Sequence, residues 1–307
     1  MTPPYPPYHA SREANMRAAG EMVLAAFGFA TMSAIAHGFR GQVPWPAVAF
    51  ARISVTMVIM LALVWWWRIP FRVWDRQLWW RSVLGVGGLL CNFYALSRLP
   101  ITEVVTILST APIWVTVILW LIFHQRVRWT VWVHALLAAG GVYIMNRPSF
   151  SSDAFPLLVA CGAAVIIASA KVALARVGHL PPVGVVAHYS LFATAVCGVL
   201  TLTVPDGLVA TDPVPAVLWW WILPMGLAGT AAQFLLTTAY GRGTTTMVAL
   251  VGLSQIAFAA AYDFIIWGHT IDGWKAAGIG IIAVAITLSV TSRAAVLPVE
   301  EAIRQEV

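Results

Sequence analysis

The sequence predicts an all-α integral membrane protein of ten transmembrane helices, arranged as two inverted five-helix repeats. Three observations predict it. Of the 307 residues, 60% are hydrophobic and only 10% are charged; a soluble domain carries roughly 25% charged residues, so lipid must be most of this chain's solvent. The apolar residues gather into ten stretches near the length of about 20 residues that a helix needs to cross a bilayer. The second half of the chain also repeats the pattern of the first.

In order along the chain, residues 1–19, with Pro3-Pro4-Tyr5-Pro6-Pro7-Tyr8, read as a disordered cytoplasmic tail. The first span is expected at 20–38. It ends in Ala34-Ile35-Ala36, which imitates a signal-peptide cleavage site. Similar apolar segments continue to residue 292, so it is read as the first helix of a series. The next spans are placed at 46–67, 79–98, 101–124 and 129–146, bounded by Pro, Gly and clusters of charge. The second set falls at 155–176, 181–204, 217–240, 244–267 and 273–292. The shortest turns are Leu99-Pro100 and Gly241-Arg242-Gly243. The repeats are residues 20–148 and 149–292, and 293–307 form a second cytoplasmic tail.

Orientation follows from the excess of Lys and Arg in cytoplasmic loops. With the N-terminus inside, thirteen basic residues, from Arg12 and Arg17 to Arg293 and Arg304, fall on the inner side. Only four, Arg40, Arg98, Arg147 and Lys275, fall on the outer side, and Arg52 lies inside the second span. Tryptophans agree. Trp65-Trp66-Trp67, Trp74, Trp79-Trp80, Trp129 and Trp132 mark the inner boundary, and Trp45, Trp219-Trp220-Trp221, Trp267 and Trp274 the outer one. The expectation is a multi-pass cell-membrane protein, in a bacterial inner membrane, with both termini cytoplasmic.

A shift of 144 residues aligns Ala95-Leu96-Ser97-Arg98 with Ala239-Tyr240-Gly241-Arg242, Gly85 with Gly229, and Thr102 with Thr246. A slightly shorter shift matches Gly28 with Gly162 and Arg52 with His188. Five spans is an odd number, so the second repeat enters the membrane upside down. Inverted repeats of this kind recur in transporters, with the substrate near the midplane; duplication for stability alone is the competing reading.

Particular residues also carry a resemblance. Asn92-Phe93-Tyr94-Ala95-Leu96-Ser97-Arg98-Leu99-Pro100, Ser109-Thr110-Ala111-Pro112 and Gly140-Gly141-Val142-Tyr143-Ile144-Met145, with Arg52 in Phe50-Ala51-Arg52, resemble the drug/metabolite transporter superfamily, EamA-type. The resemblance covers residues 20–292. It implies alternating access without ATP hydrolysis, for amino acids, other metabolites or drugs. Two departures stand out. The family's Gly-Glu-Arg is His124-Gln125-Arg126 here, with His269 at the matching place in the second half, and Ile256 stands where a second Pro112 is expected.

Candidate site residues are polar or aromatic groups on helix faces within spans, because such groups are costly in lipid. Glu103, Thr106, Thr110 and Trp114 share one face of the fourth span at helical spacing. They line a cavity, or else Glu103 snorkels at the outer interface. Thr230, Gln233 and Thr237 form a stripe on the eighth span, read as cavity lining or as interhelical hydrogen bonding. Asn92 shares a face with Gly85 and Gly88, where packing is the competing reading. Gln255, Phe258 and Tyr262 share a face of the ninth span. Asp263 lies elsewhere on that helix, positioned for Lys275 or the interface. Arg52, His188 and Lys171 lie nearer span ends, where snorkelling or interhelical pairing explains them.

Several chemistries are missing. No HExxH, P-loop or GxSxG motif occurs, so no catalytic residue, cofactor or metal is expected. Cys91, Cys161 and Cys197 read as packing residues. Nothing in the basic residues supports nucleic-acid binding. The expected partners are a small-molecule substrate and the lipid bilayer; proton coupling through Glu103 and a homodimer are both compatible with the sequence. The function expected is secondary transport of amino-acid-like, aromatic or amine compounds, or drugs. The alternatives are a flippase for lipids or their precursors and, from another class, an intramembrane enzyme or accessory subunit.

Overall fold

The computed structural model describes residues 11–39, 42–70, 74–125, 127–148, 154–203 and 216–292. Among them the regular elements are twelve α-helices. The first half holds α1 (Arg12–His37), α2 (Trp45–Trp66), α3 (Arg76–Arg98), α4 (Ile101–Leu108), α5 (Ala111–Leu121) and α6 (Trp129–Asn146). The second holds α7 (Ala154–Arg176), α8 (Pro182–Thr203), α9 (Ala216–Arg242), α10 (Thr245–Val251), α11 (Ser254–Trp267) and α12 (Gly273–Thr291). Among the described residues eight stretches are long and apolar enough to cross a membrane. The protein is an all-α membrane protein.

Polarity is arranged for lipid. Leu24, Val58, Leu136, Leu158, Leu202 and Ile265 are exposed, whereas Thr56, Glu103, Thr116, His188, Ser190 and Thr246 are buried. Such an arrangement lets every intramembrane polar group seek a partner inside the protein. Exposed tryptophans gather at both ends of the bundle. Trp65, Trp66, Trp67, Trp74, Trp80 and Trp129 lie on the side where α1 begins, the near side; Trp220, Trp221, Trp267 and Trp274 lie on the far side.

The first helix starts eight residues before the expected span. Residues 12–19, expected in a tail, are helical because Ser11 caps them, accepting a bond from the Ala14 amide at 3.1 Å. Ala18 and Ala19 are buried, and Ala18 sits against Gly243. The remaining tail residues, 1–10 and 293–307, lie outside the described residues.

Packing crosses between the halves. Helix α1 lies along α9 and α11, α3 along α7, α2 along α8 and α9, and α6 along α12. Small residues permit the closest approaches. The Gly178 and Gly241 backbones touch where α7 and α9 end, and Gly278 of α12 meets the Gly141 carbonyl of α6. Close contact of this kind is how helices associate in lipid, which offers no hydrophobic driving force between them.

Two expected spans are interrupted. Within 101–124 the helix breaks at Ser109-Thr110, because Pro112 has no N–H to offer and its ring clashes with the Leu108 carbonyl. The chain tightens there, with the Thr110 amide bonded to the Ile107 carbonyl at 3.0 Å and the Ile113 amide to the Thr110 carbonyl at 2.9 Å. The Ser109 hydroxyl donates to the Val105 carbonyl and the Thr110 hydroxyl to the Ile107 carbonyl, each at 2.6 Å. Within 244–267 the same tightening occurs without proline. The Leu253, Gln255 and Ile256 amides bond carbonyls three residues back, at 3.0, 3.2 and 3.0 Å. Gly252, a weak helix former, stands at this break, and Met22 of α1 presses against it.

Candidate functional site

The two interruptions are equivalent in sequence. Helices α4 and α10 begin at Ile101 and Thr245, 144 residues apart, and Ser109 and Leu253 stand at the breaks with the same spacing. Broken helices expose backbone groups inside a membrane, and this is tolerated only where protein or a cavity satisfies them. They therefore mark the middle of the bundle as the place to look for a substrate path.

The predicted site residues other than Asn92 fall in three places. Glu103, on the first turn of α4, is fully buried, so it does not snorkel at an interface. Thr106, one turn on, accepts a bond from Asn146 Nδ2 at 2.9 Å, joining α4 to α6. Because of the break, Thr110 and Trp114 do not continue this face on one regular helix. Thr110 turns its hydroxyl onto its own backbone, and Trp114 on α5 is 36% exposed.

The second place lies between α2 and α9. The Thr230 and Thr56 hydroxyls lie 2.9 Å apart and both are buried. Among the described residues Gln233 of α9 keeps Nε2 buried without an acceptor; Asn92 stands apart on α3, which packs along α7 and α8, and keeps Oδ1 buried without a donor. Unpaired buried amide atoms are costly, which makes both of them candidates for a substrate contact.

The third place joins α11 to α1. Phe258 meets Phe27 edge-on at 5.4 Å, and the Tyr262 hydroxyl lies 2.7 Å from the Thr31 hydroxyl. Gln255 is half-buried on the same helix. Asp263 pairs with His269 at 2.9 Å rather than with Lys275, because His269 follows the glycine that ends α11 and folds back beside it.

Sequence reasoning missed a fourth place. At the near side of α3, Ser82 Oγ lies 2.8 Å from His188 Nδ1 of α8, and both are buried. His188 is thus an interhelical partner and does not snorkel. Trp79 lies edge-on to His188 at 5.4 Å. Arg81 stacks its guanidinium 4.5 Å from the centre of the Tyr189 ring. The available signal was the alignment of Arg52 with His188, which brings a cation and an aromatic-rich segment to related positions.

These features meet in comparison with known proteins. The model of the EamA-like transporter family matches residues 18–147 and again residues 154–291. The chain belongs to the EamA-like transporter family. Its EamA-like relatives include the pseudopaline exporter of Pseudomonas aeruginosa, 28% identical over 88% of this chain and 95% of that protein. A riboflavin transporter of Vibrio cholerae is 23% identical over 86% of this chain and 90% of its own length. One chain in a solved crystal structure has the same fold, with a TM-score of 0.77 at 16% identity, covering 91% of this chain and 98% of that one. Membership makes this EamA-like protein a multi-pass membrane transporter of small molecules.

Proposed function

We propose that the chain is a secondary transporter that works by alternating access between two inverted halves, residues 20–148 and 149–292. In this reading α4 with α5 and α10 with α11 each form one broken span. The spans then number ten, and the near side, where α1 begins, is cytoplasmic. The carrying observation is the pair of breaks 144 residues apart. Discontinuous helices in corresponding positions of two halves are a recurring feature of transporter binding sites. Packing supports the same symmetry, since α1 on α9 and α3 on α7 exchange roles when the halves are exchanged.

The substrate in this reading is a neutral, zwitterionic or weakly cationic organic molecule with aromatic or apolar surface. The polar groups offered are hydroxyls and amides, with Asn92 and Gln233 holding buried atoms in reserve. Trp114, Phe258 and Tyr262 supply the walls, a combination usual for small-molecule pockets. The names of the relatives support an organic metabolite. Glu103 is the group through which a proton would couple.

Reconstituted vesicles test the reading. Preloaded with one compound from a panel of amino acids, vitamins and amines, they should accumulate the same labelled compound by counterflow. Trp114→Ala should reduce counterflow of an aromatic compound more than that of a small polar one. Absence of counterflow across the panel, or robust transport of a sugar phosphate or dicarboxylate instead, overturns it.

A further inference from the structure

Arg81 is only 6% exposed, yet its Nε and Nη1 meet no acceptor among the described residues. Trp79 Nε1, on the same helix and also against α8, is buried without an acceptor too. Every unpartnered atom of this pair of side chains is a donor. Gly85 makes the space, since a Cβ there would collide with the Arg81 guanidinium at 2.3 Å and lie 3.0 Å from Tyr189. The Tyr189 ring offsets part of the cost of burying this cation, but its buried N–H donors still lack an acceptor, which an anion would supply.

The far side holds a related arrangement. Gly229, aligned with Gly85 by the 144-residue shift, lies beside Arg52, whose Cδ would be 3.7 Å from an added Cβ. Arg52 Nη1 donates at 2.9 Å to the thioether of Met32, a weak acceptor, and among the described residues it meets no carboxylate. Arg81 is five residues from the near-side start of α3 and Arg52 seven from the far-side start of α2, so they lie about 8 and about 10 Å into their helices. Both stand where the halves meet, Arg81 against α8 and Arg52 against α9.

We propose that Arg81 and Arg52 are two stations for one anionic oxygen group of the transported molecule, the carboxylate of a zwitterion. The proposal rests on the alternating-access reading above. Arg81 holds the group when the near side is open, and Arg52 when the far side is open. An anionic lipid headgroup offers the same chemistry, but the burial of Arg81 turns it away from the lipid face.

The test uses purified full-length protein in neutral detergent, melted in sodium benzoate, in sodium phosphate or in benzamide, at constant ionic strength. Ligands that bind the folded state raise its melting temperature saturably. Benzoate or phosphate should do so and benzamide should not. The shift should weaken in Arg81→Gln and in Arg52→Gln, vanish in the double variant, and persist in Arg81→Lys. Equal responses to benzoate and benzamide, no response to either anion, or an undiminished response in the double variant overturns the proposal. So does unfolding of both Arg81→Gln and Arg81→Lys, which makes Arg81 a structural residue. An Arg81-dependent shift given by phosphatidylglycerol but by neither free anion assigns the group to lipid and also overturns it. Counterflow without anion binding overturns the stations alone; anion binding without counterflow overturns the transport reading, and with it the stations' role.

Discussion

The hydroxyls of Thr56 and Thr230 lie 2.9 Å apart in the buried contact between α2 and α9, and Thr230 Oγ1 also lies 2.7 Å from the Gly226 carbonyl. A hydroxyl has one proton, so Thr230 shares its own between that carbonyl and Thr56 Oγ1, donating to both. The pair therefore joins the two halves at a point that sequence periodicity alone reads as either cavity lining or packing. Gly226 is where α2 approaches most closely, since a Cβ there would meet Val55 at 2.5 Å.

A double-mutant cycle measures that bond. Thr56→Val and Thr230→Val keep the shape and remove the hydroxyls. The coupling energy should be near ~0.6 kcal/mol, the average for interhelical hydrogen bonds in membranes. Chemical denaturation in detergent of the two single variants and the double provides the value; additive effects would place the hydroxyls on separate partners.

Two glycines of α12 should respond in opposite ways to a single methyl group. At Gly278 an added Cβ would lie 2.5 Å from the Gly141 carbonyl and 2.6 Å from Met145 Cβ, whereas at Gly280 nothing lies within 4 Å. Gly278→Ala must push α6 and α12 apart and should cost about 1–3 kcal/mol, as overpacking does. Gly280→Ala should be neutral or slightly stabilising, because alanine is the better helix former. Melting temperatures of the purified variants check both signs.

These contacts divide what was legible in the sequence from what was not. Apolar length and punctuation place the helices to within a few residues at most ends, because bilayer thickness dictates both. Pro112 announces the first break by its chemistry. The second break is not announced, since a single glycine, Gly252, is often tolerated within a helix and its contact with Met22 of a distant helix is not visible in the sequence. Arg81 was hidden for a related reason. An arginine five residues into a helix reads as a marker of the cytoplasmic side, and its burial depends on Gly85 and on Tyr189 from the other half. Glu103 was recognised as unusual, but its full burial is set by tertiary packing around α4.

Topology gives a third prediction. Both termini should be cytoplasmic, from the thirteen-to-four distribution of basic residues. A C-terminal fusion to alkaline phosphatase, active only in the periplasm, should be silent, and a fluorescent protein in its place should be bright. The reverse result would mean an odd number of spans.

Glu103 provides a fourth. If its carboxyl group takes up and releases the coupling proton, Glu103→Gln should insert and fold normally, because glutamine matches its shape and keeps hydrogen-bonding capacity. Transport in vesicles should then fall and lose its response to an imposed pH gradient. An unchanged response in the variant would assign Glu103 to packing between α4 and its neighbours.

The helix breaks supply the last prediction. Pro112→Ala restores an amide, and Gly252→Ala adds a methyl group whose nearest neighbour, at 2.9 Å, is the mobile end of the Met22 side chain. Each change favours a continuous helix, Gly252→Ala by about 1 kcal/mol from helix propensity. Neither creates a clash with backbone that would unfold the protein, so melting temperatures should hold or rise. If the breaks provide the bend that alternating access needs, counterflow should nevertheless fall in both variants, and fall further when they are combined. A rise in stability together with a loss of transport is the signature of a working hinge, since the flexibility removed is the flexibility that function uses. Full transport by the double variant would make the breaks structural accommodations of Pro112 and Gly252 and nothing more.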